Sequence, residues 1–181
     1  MRRRHCLVAL AAAAAGAPHT WTQAAAVPPE LAAALPGATL QGSGRLRFLG
    51  LAIYDARLWR GAAPLGADWT AAPLALELIY LRNLVGRQIA ERSLKEMRRQ
   101  REISDHEAAR WLAAMVQIFP DVKEGDRITG FLLPGVGARF AINGAVKGEV
   151  RELEFARLFF GIWLSEQTSE STLRRGLLGL A

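Results

Sequence analysis

Alternation of apolar and polar residues is the strongest pattern in the first third of the chain. Within Arg45–Phe48 two arginines alternate with two apolar side chains, and the extended pattern predicts one long strand over residues 38–60. Gly50 is expected to mark a bend or bulge in that strand. Residues 61–73 are rich in glycine and proline and predict a loop. Leu74–Leu81 then predicts a strand with alternate apolar side chains on one face.

Helical spacing replaces this alternation in four later segments. Residues 84–101 place apolar side chains on one side and basic ones opposite, which predicts an amphipathic helix. Ser104–Glu107 has the pattern of a capping box, and the helix it begins is expected to stop at Pro120. Residues 152–164 are apolar around most of a helix circumference and predict an enclosed helix, and a final helix is expected from about residue 169 to residue 178.

A second group of strands lies between these helices. Asp126–Leu133, Arg139–Ile142 and Val146–Val150 each have strand patterns, and Asn143-Gly144 predicts a tight hairpin turn between the last two. Strands that alternate in blocks with helices favour an α+β fold over a doubly wound parallel sheet.

The N-terminal residues have the pattern of a secretory signal peptide. Arg2–Arg4 supply a positive start, Leu7–Ala15 an apolar core too short to span a bilayer, and Ala24–Ala26 a small-residue cleavage site. We therefore expect a periplasmic protein, exported by either of the two bacterial routes. Along the chain we expect a signal peptide at 1–26, a flexible lead-in at 27–37, and one domain at 38–181.

Removal of the signal changes the charge and the cysteine content. The net charge of +6 falls to +3, because three arginines and no acidic residue are lost, and Cys6 leaves with them. No basic run interleaves with aromatic residues, so we expect no nucleic-acid partner. No later stretch is apolar over eighteen residues, so we expect no integral membrane segment in the mature chain. The oligomeric state is left open.

No pattern indicates a metal, a cofactor or a catalytic triad. His106 is the only histidine outside the predicted signal, and its place in a capping box favours an exposed position. Asp121, Glu124 and Asp126 cluster around a lysine, which is typical of a solvated loop rather than of acid–base catalysis. We therefore assign no catalytic residue and no metal ligand.

Four cationic or phenolic residues on apolar strands are the remaining candidates for a ligand site: Arg45, Arg47, Tyr54 and Tyr80. A buried arginine needs a partner, and the carboxylate of a ligand would fit its planar guanidinium. The alternative is that the arginines lie on a wet face of the sheet or pair with protein carboxylates. The candidates for that pairing are Asp55, Glu77 and Glu149.

Four sequence blocks together resemble the bacterial chalcone isomerase-like family: Gly42–Tyr54, Leu76–Tyr80, Phe119–Asp126 and Phe159–Ser165. The resemblance spans residues 38–179. It implies an open-faced β-sandwich, in which a large antiparallel sheet packs against a layer of helices with a ligand cleft between them. The superfamily contains both isomerases and non-catalytic fatty-acid binders.

The resemblance favours the binders. Where the isomerases are expected to carry a threonine, a tyrosine and an asparagine, this chain has Leu49, Ile89 and Glu96. In the fatty-acid-binding branch an arginine after a Gly-x-Gly element and a following tyrosine hold the ligand carboxylate, and Arg45 and Tyr54 match these elements.

We therefore expect a cofactor-free binder of an apolar carboxylate such as a fatty acid. Two alternatives stay open. One is an isomerase of the chalcone isomerase type. The other is a structural or partner-binding protein in which Phe159, Phe160 and Trp163 simply fill the core.

Overall fold

The computed structural model describes residues 26–180. The predicted signal peptide therefore lies outside the described residues, apart from Ala26. The strands are β1 Thr39–Phe48, β2 Leu51–Arg60, β3 Leu74–Tyr80, β4 Arg127–Leu133, β5 Gly137–Ile142 and β6 Ala145–Val150. The helices are α1 Pro29–Ala34, α2 Gly86–Met97, α3 Asp105–Ile118, α4 Leu153–Leu164 and α5 Ser171–Leu178, with a short 3₁₀ turn at Trp69–Ala71.

The six strands form one antiparallel sheet in the order β1-β2-β3-β4-β5-β6. One face of this sheet packs against α2, α3, α4 and α5 around the main hydrophobic core. The predicted α+β fold, with a large antiparallel sheet against a layer of helices, is therefore confirmed. The alternating leucines of β3 and the terminal Tyr80 all point into this core, as the period-two pattern predicted.

The predicted single strand over residues 38–60 is wrong, because the chain reverses at Leu49-Gly50. Phe48 pairs with Leu51, so β1 and β2 form a hairpin with a two-residue loop. Leu49 and Gly50 have φ values of 48° and 79°, as a type I′ turn requires. A leucine is not a usual residue at the first of these positions, which is why the turn was not recognised.

Residues 27–37, which we expected to be a flexible lead-in, include a short helix that packs on the other face of the sheet. α1 has a proline at its first position, where the missing N–H costs nothing. Leu31 and Leu35 are buried there against Trp59 and Phe131. This apolar contact orders a segment whose composition alone suggested no structure.

Local capping and turn signals are reproduced closely. Ser104 and Glu107 form the predicted capping box at the start of α3. Asn143-Gly144 forms the predicted tight turn, with both residues at positive φ. In α4, the enclosed helix is packed by aromatic pairs, including Phe155 stacked on Phe159 with centroids 5.7 Å apart.

No helix within residues 26–180 has the length and apolarity to cross a bilayer.

Candidate ligand-binding cavity

A cavity of about 370 Å³ lies between the helix-facing side of the sheet and helices α2 and α4. This volume is within the range of small-molecule sites in proteins. The sheet contributes Leu46, Phe48, Ile53, Tyr54, Leu78, Tyr80 and Ile128 to its wall. The helices and connecting segments contribute Leu84, Gln88, Ile89, Arg92, Ser93, Glu96, Phe119, Phe159, Ile162, Trp163, Ser169 and Glu170.

Two buried tyrosines form the polar part of the sheet wall. Tyr54 and Tyr80 are register partners on β2 and β3, and their rings meet edge to face with centroids 5.8 Å apart. The Tyr54 hydroxyl accepts a hydrogen bond from the indole Nε1 of Trp163 at 2.9 Å. Within the described residues, the Tyr80 hydroxyl forms no hydrogen bond and the hydrogen of the Tyr54 hydroxyl has no acceptor. Both phenols can therefore donate to a ligand.

Burial keeps these phenols protonated. It raises the pKa of Tyr54 well above the ordinary tyrosine value, although the hydrogen bond from Trp163 opposes the shift. Burial also raises the pKa of Tyr80, and the neighbouring Tyr54 adds to that effect. At neutral pH each is a neutral hydrogen-bond donor that a ligand can use.

The helical wall carries the charged groups of the cavity. Arg92 on α2 places its Nη2 2.8 Å from Oε1 of Glu96, one turn further along the helix. The Glu96 side chain is only 8 % exposed, whereas Arg92 is 51 % exposed and reaches the mouth. The Arg92 guanidinium also lies 5.9 Å from the centre of the Phe48 ring, in the range of a cation–π contact.

Glu96 is held from its other side as well. Its Oε2 accepts a hydrogen bond from the Ser169 hydroxyl at 2.9 Å and lies 3.5 Å from Nε of Arg99. This carboxylate therefore keeps two partners that do not depend on Arg92. The contact with Glu96 uses Nη2 of Arg92, and within residues 26–180 Nη1 and Nε of Arg92 make no hydrogen bond.

The structure separates the four residues that the sequence analysis proposed. Tyr54 and Tyr80 lie on the cavity wall. Arg45 and Arg47 do not, and the proposed pairing of Arg45 with Tyr54 around one ligand carboxylate is wrong. In the β1–β2 hairpin, Leu46 is opposite Tyr54, so the odd-numbered arginines of β1 project from the other face.

Arg45 has a protein carboxylate as its partner. Its Nε and Nη2 donate to the two oxygens of Asp55 at 2.6 and 2.8 Å, across the hairpin. The hydrogen bond from Arg45 lowers the pKa of Asp55, as expected for a carboxylate in a bidentate pair. Arg47 is exposed, and its Nη1 lies 3.5 Å from the carbonyl oxygen of Gly50. This is the alternative that the sequence analysis kept open, with Asp55 as the partner.

The other polar residues considered in the sequence analysis are either exposed or hydrogen-bonded within the fold. His106 is exposed in the first turn of α3. Asp121 accepts a hydrogen bond from the backbone N–H of Gly86, and Asp126 accepts one from that of Lys123, so this acidic turn ties β4 to the start of α2. Within residues 26–180, no group of three metal-ligating side chains comes together.

Sequence reasoning missed Arg92 and Glu96 as cavity residues. The amphipathic pattern of residues 84–101 places the basic residues opposite the apolar ones, yet Ile89, Ser93 and Glu96 follow the i, i+4, i+7 spacing of one helix face. That spacing was the available signal. An apolar residue, a serine and a glutamate on one helix face indicate that this face contacts the core at one end and lines a polar part of the cavity at the other.

The chain belongs to the chalcone isomerase-like family, whose sequence model matches residues 35–179. No curated protein matches the chain significantly. Among solved structures, the fold is similar to the Arabidopsis thaliana fatty-acid binding protein AtFAP1. The TM-score is 0.63 at 15 % identity, over 79 % of this chain and 87 % of that chain. At this identity the similarity establishes the shared fold.

Proposed function

We propose that this protein is a non-catalytic binder of a long apolar molecule with a carboxylate at one end, such as a fatty acid. The observation that carries the proposal is the cavity itself, whose walls are mostly apolar and whose hydrogen-bond donors include two buried tyrosines and one arginine, with the carboxylates of Glu96 and Glu170 also on the wall. The structural similarity to a fatty-acid binding protein supports the same class of ligand.

The carboxylate would be held by Arg92 rather than by Arg45. Arg92 has guanidinium donors available beside its contact with Glu96, and Glu96 retains Ser169 and Arg99 as partners. Arg92 and Tyr54 both line the cavity. A ligand carboxylate at this end would receive charge-assisted hydrogen bonds from Arg92 and a neutral one from Tyr54.

The alkyl chain would supply most of the binding free energy. Transfer of each methylene from water to an apolar wall is favourable by about 0.8 kcal/mol before ordering costs. Leu78, Ile128 and Phe159 supply such a wall in the interior of the cavity. The hydrogen bond to a charged partner adds about 1.5–3 kcal/mol, enough to prefer a fatty acid over an alcohol of equal length.

The cavity offers little for chalcone cyclisation. The position expected to carry a catalytic threonine is Leu49, which is 86 % exposed at the hairpin turn. The residues in place of the tyrosine and asparagine are Ile89 and Glu96, so these two positions provide no neutral hydrogen-bond donor for a developing enolate, and the donors of Tyr54 and Tyr80 lie elsewhere, on the sheet. We expect a chalcone substrate to cyclise no faster with this protein than without it.

We also propose that the protein acts in the periplasm. The support is the sequence pattern of residues 1–26, with its positive start, short apolar core and small-residue cleavage site. N-terminal sequencing of the protein from its native host, together with fractionation, tests this. A mature chain beginning at Val27 in the periplasmic fraction is expected, and an uncleaved cytoplasmic chain would contradict it.

Two measurements test the ligand proposal. Protein purified from its native host is extracted with organic solvent, and the extract is examined by mass spectrometry for fatty acids. Lipid-free protein is then titrated with a long-chain fatty acid and with the primary alcohol of equal length. We expect a co-purifying fatty acid and tighter binding of the acid by roughly tenfold or more. A protein that binds neither would support a structural or partner-binding role.

A further inference from the structure

The β1–β2 tip, residues Phe48–Leu51, is an apolar projection at the mouth of the cavity. Phe48, Leu49 and Leu51 are 54 %, 86 % and 53 % exposed, although each is a large hydrophobic residue. Phe48 also lines the cavity, so the exposed apolar surface continues from the tip into the binding site. Scattered exposed leucines are common in proteins, but three at one hairpin turn form a concentrated apolar patch.

The backbone at this tip is unusual for the residue it carries. Leu49 has φ 48°, and the first central residue of the β5–β6 turn, Asn143, has φ 49°. Each is followed by a glycine at positive φ, Gly50 and Gly144, so the same turn occurs twice in this chain. Asparagine is well suited to this conformation and leucine is not. At the β1–β2 tip, therefore, an apolar side chain occupies a strained position from which it projects into solvent.

Two arginines near the tip have no ion pair within the described residues. Arg47 is exposed at the end of β1 and forms no ion pair within the described residues. Arg82, likewise without an ion pair there, follows β3 next to β2, because the N–H of Leu81 donates to the carbonyl oxygen of Ile53. An apolar tip flanked by unpaired arginines matches the acyl region and the anionic headgroups of a lipid surface.

We propose that the β1–β2 tip inserts into the headgroup region of an anionic lipid bilayer, with the cavity mouth facing the membrane. Leu49 and Leu51 would enter the acyl boundary, while Arg47 and Arg82 stay among the phosphates. A narrow two-residue turn suits such insertion. A stable protein interface, by contrast, buries roughly 800 Å² per partner, which calls for a broad surface. An apolar ligand could then pass between membrane and cavity along Phe48 without crossing water.

Vesicle sedimentation tests the docking without any ligand in the cavity. The probes are vesicles of phosphatidylcholine and of a phosphatidylcholine–phosphatidylglycerol mixture. We expect the mature protein to sediment with both and more strongly with the anionic mixture, and the anionic preference should fall with added salt. Absence of sedimentation with the anionic vesicles would overturn the proposal, whatever the outcome of the fatty-acid titration.

Matched variants assign the effect to the tip. Leu49→Asp should reduce vesicle binding roughly tenfold or more, since it replaces an inserted apolar group with a charge. Val146→Asp is the control, because Val146 is 63 % exposed on the edge strand at the other side of the sheet. Equal losses in the two variants would overturn the proposal.

Three further readouts complete the test. Circular dichroism should show both variants folded, since both residues are exposed. Fatty-acid titration of Leu49→Asp in vesicle-free buffer should give the wild-type affinity, because Leu49 does not line the cavity. Concentration-dependent self-association that disappears in Leu49→Asp would show that the tip contacts a second copy of the chain, and would overturn membrane docking.

Discussion

Trp163 and Tyr54, which are 109 residues apart in the chain, are joined by a buried hydrogen bond between the indole Nε1 and the phenol oxygen. The 2.9 Å contact links α4 to β2 across the cavity. Because Tyr54 accepts from Trp163, its own hydrogen is directed elsewhere and remains available to a ligand. The bond thus stabilises the fold and orients a donor in the candidate site.

A double-mutant cycle tests the contribution of this bond. Tyr54→Phe and Trp163→Phe should each lower the free energy of unfolding by about 1–3 kcal/mol, because each leaves a buried polar group without its partner. The double variant should be more stable than the sum of the single losses predicts, by about 1 kcal/mol. Urea unfolding of the four proteins measures this coupling. Additive losses would show that the contact contributes nothing as a pair.

Filling the cavity should abolish binding without unfolding the protein. Ile89 lines the cavity and is only partly buried, so a tryptophan at this position can extend into the existing space. Ile89→Trp should keep a melting temperature within a few degrees of the wild type and weaken fatty-acid binding roughly tenfold or more.

Val85→Trp is the matched control for that variant. Val85 precedes the same helix, is exposed and lies outside the cavity wall. It should bind fatty acid as the wild type does. Unchanged affinity in a folded Ile89→Trp protein would mean that the ligand binds elsewhere.

Exchanging the first central residues of the two hairpin turns, Leu49 and Asn143, should have opposite effects on stability. Leu49→Asn should raise the free energy of unfolding by about 0.5–1 kcal/mol, because asparagine tolerates positive φ. Asn143→Leu should lower it by more than that amount. Asn143 also accepts from the backbone N–H of Arg127 and donates to Asp126, at 2.8 and 2.9 Å. Thermal or urea unfolding of both variants checks this, and a destabilised Leu49→Asn protein would show that the leucine has a structural role.

The carboxylate of Glu154 on α4 should make the protein less stable at low pH. Hydrogen bonds from Arg157 and then Arg101 hold the pKa of Glu154 down to about 2, against the opposing effect of burial. Because this folded-state pKa is below the ordinary value of 4.5, the stabilisation is present above about pH 4.5 and is lost as the pH falls toward 2.

The melting temperatures of wild type and Glu154→Gln should therefore differ at pH 7 and converge near pH 2. Glu166→Gln serves as the control, since Glu166 is 90 % exposed and its nearest guanidinium nitrogen, on Arg174, is 3.9 Å away. It should have little effect at either pH. A difference for Glu154→Gln that is equal at pH 7 and pH 2 would contradict the assignment.

The sequence predicted those parts of the fold that depend on local chemistry. The capping box at Ser104, the Asn143-Gly144 turn and the alternating face of β3 each follow from neighbouring residues, and each is confirmed. The reversal at Leu49 was missed because the residue there opposes the turn it occupies. The order of α1 was missed because it comes from contacts of Leu31 with residues far along the chain.

Of the four residues predicted to form the ligand site, the structure places two on the cavity wall. Tyr54 and Tyr80 could be placed on the cavity wall because they lie in strands with a clear apolar face. Arg45 was assigned to the same site through the family resemblance, and its pairing with Asp55 was kept only as an alternative, because the hairpin that brings the two together was not predicted. Arg92 could not be identified from local pattern, since an arginine on an amphipathic helix is usually solvated and only tertiary packing brings this one beside a cavity.

Whether Arg92 or Arg45 binds the ligand carboxylate is the central question about the proposed site. Lipid-free wild type, Arg92→Ala, Arg45→Ala and Arg87→Ala are titrated with one long-chain fatty acid by calorimetry. Arg87 lies on the same helix as Arg92, is 63 % exposed and does not line the cavity. Arg92→Ala should weaken binding by about ten- to a hundredfold, while Arg45→Ala and Arg87→Ala keep the wild-type affinity. Wild-type affinity in Arg92→Ala, or a loss in Arg45→Ala instead, would contradict the proposed site.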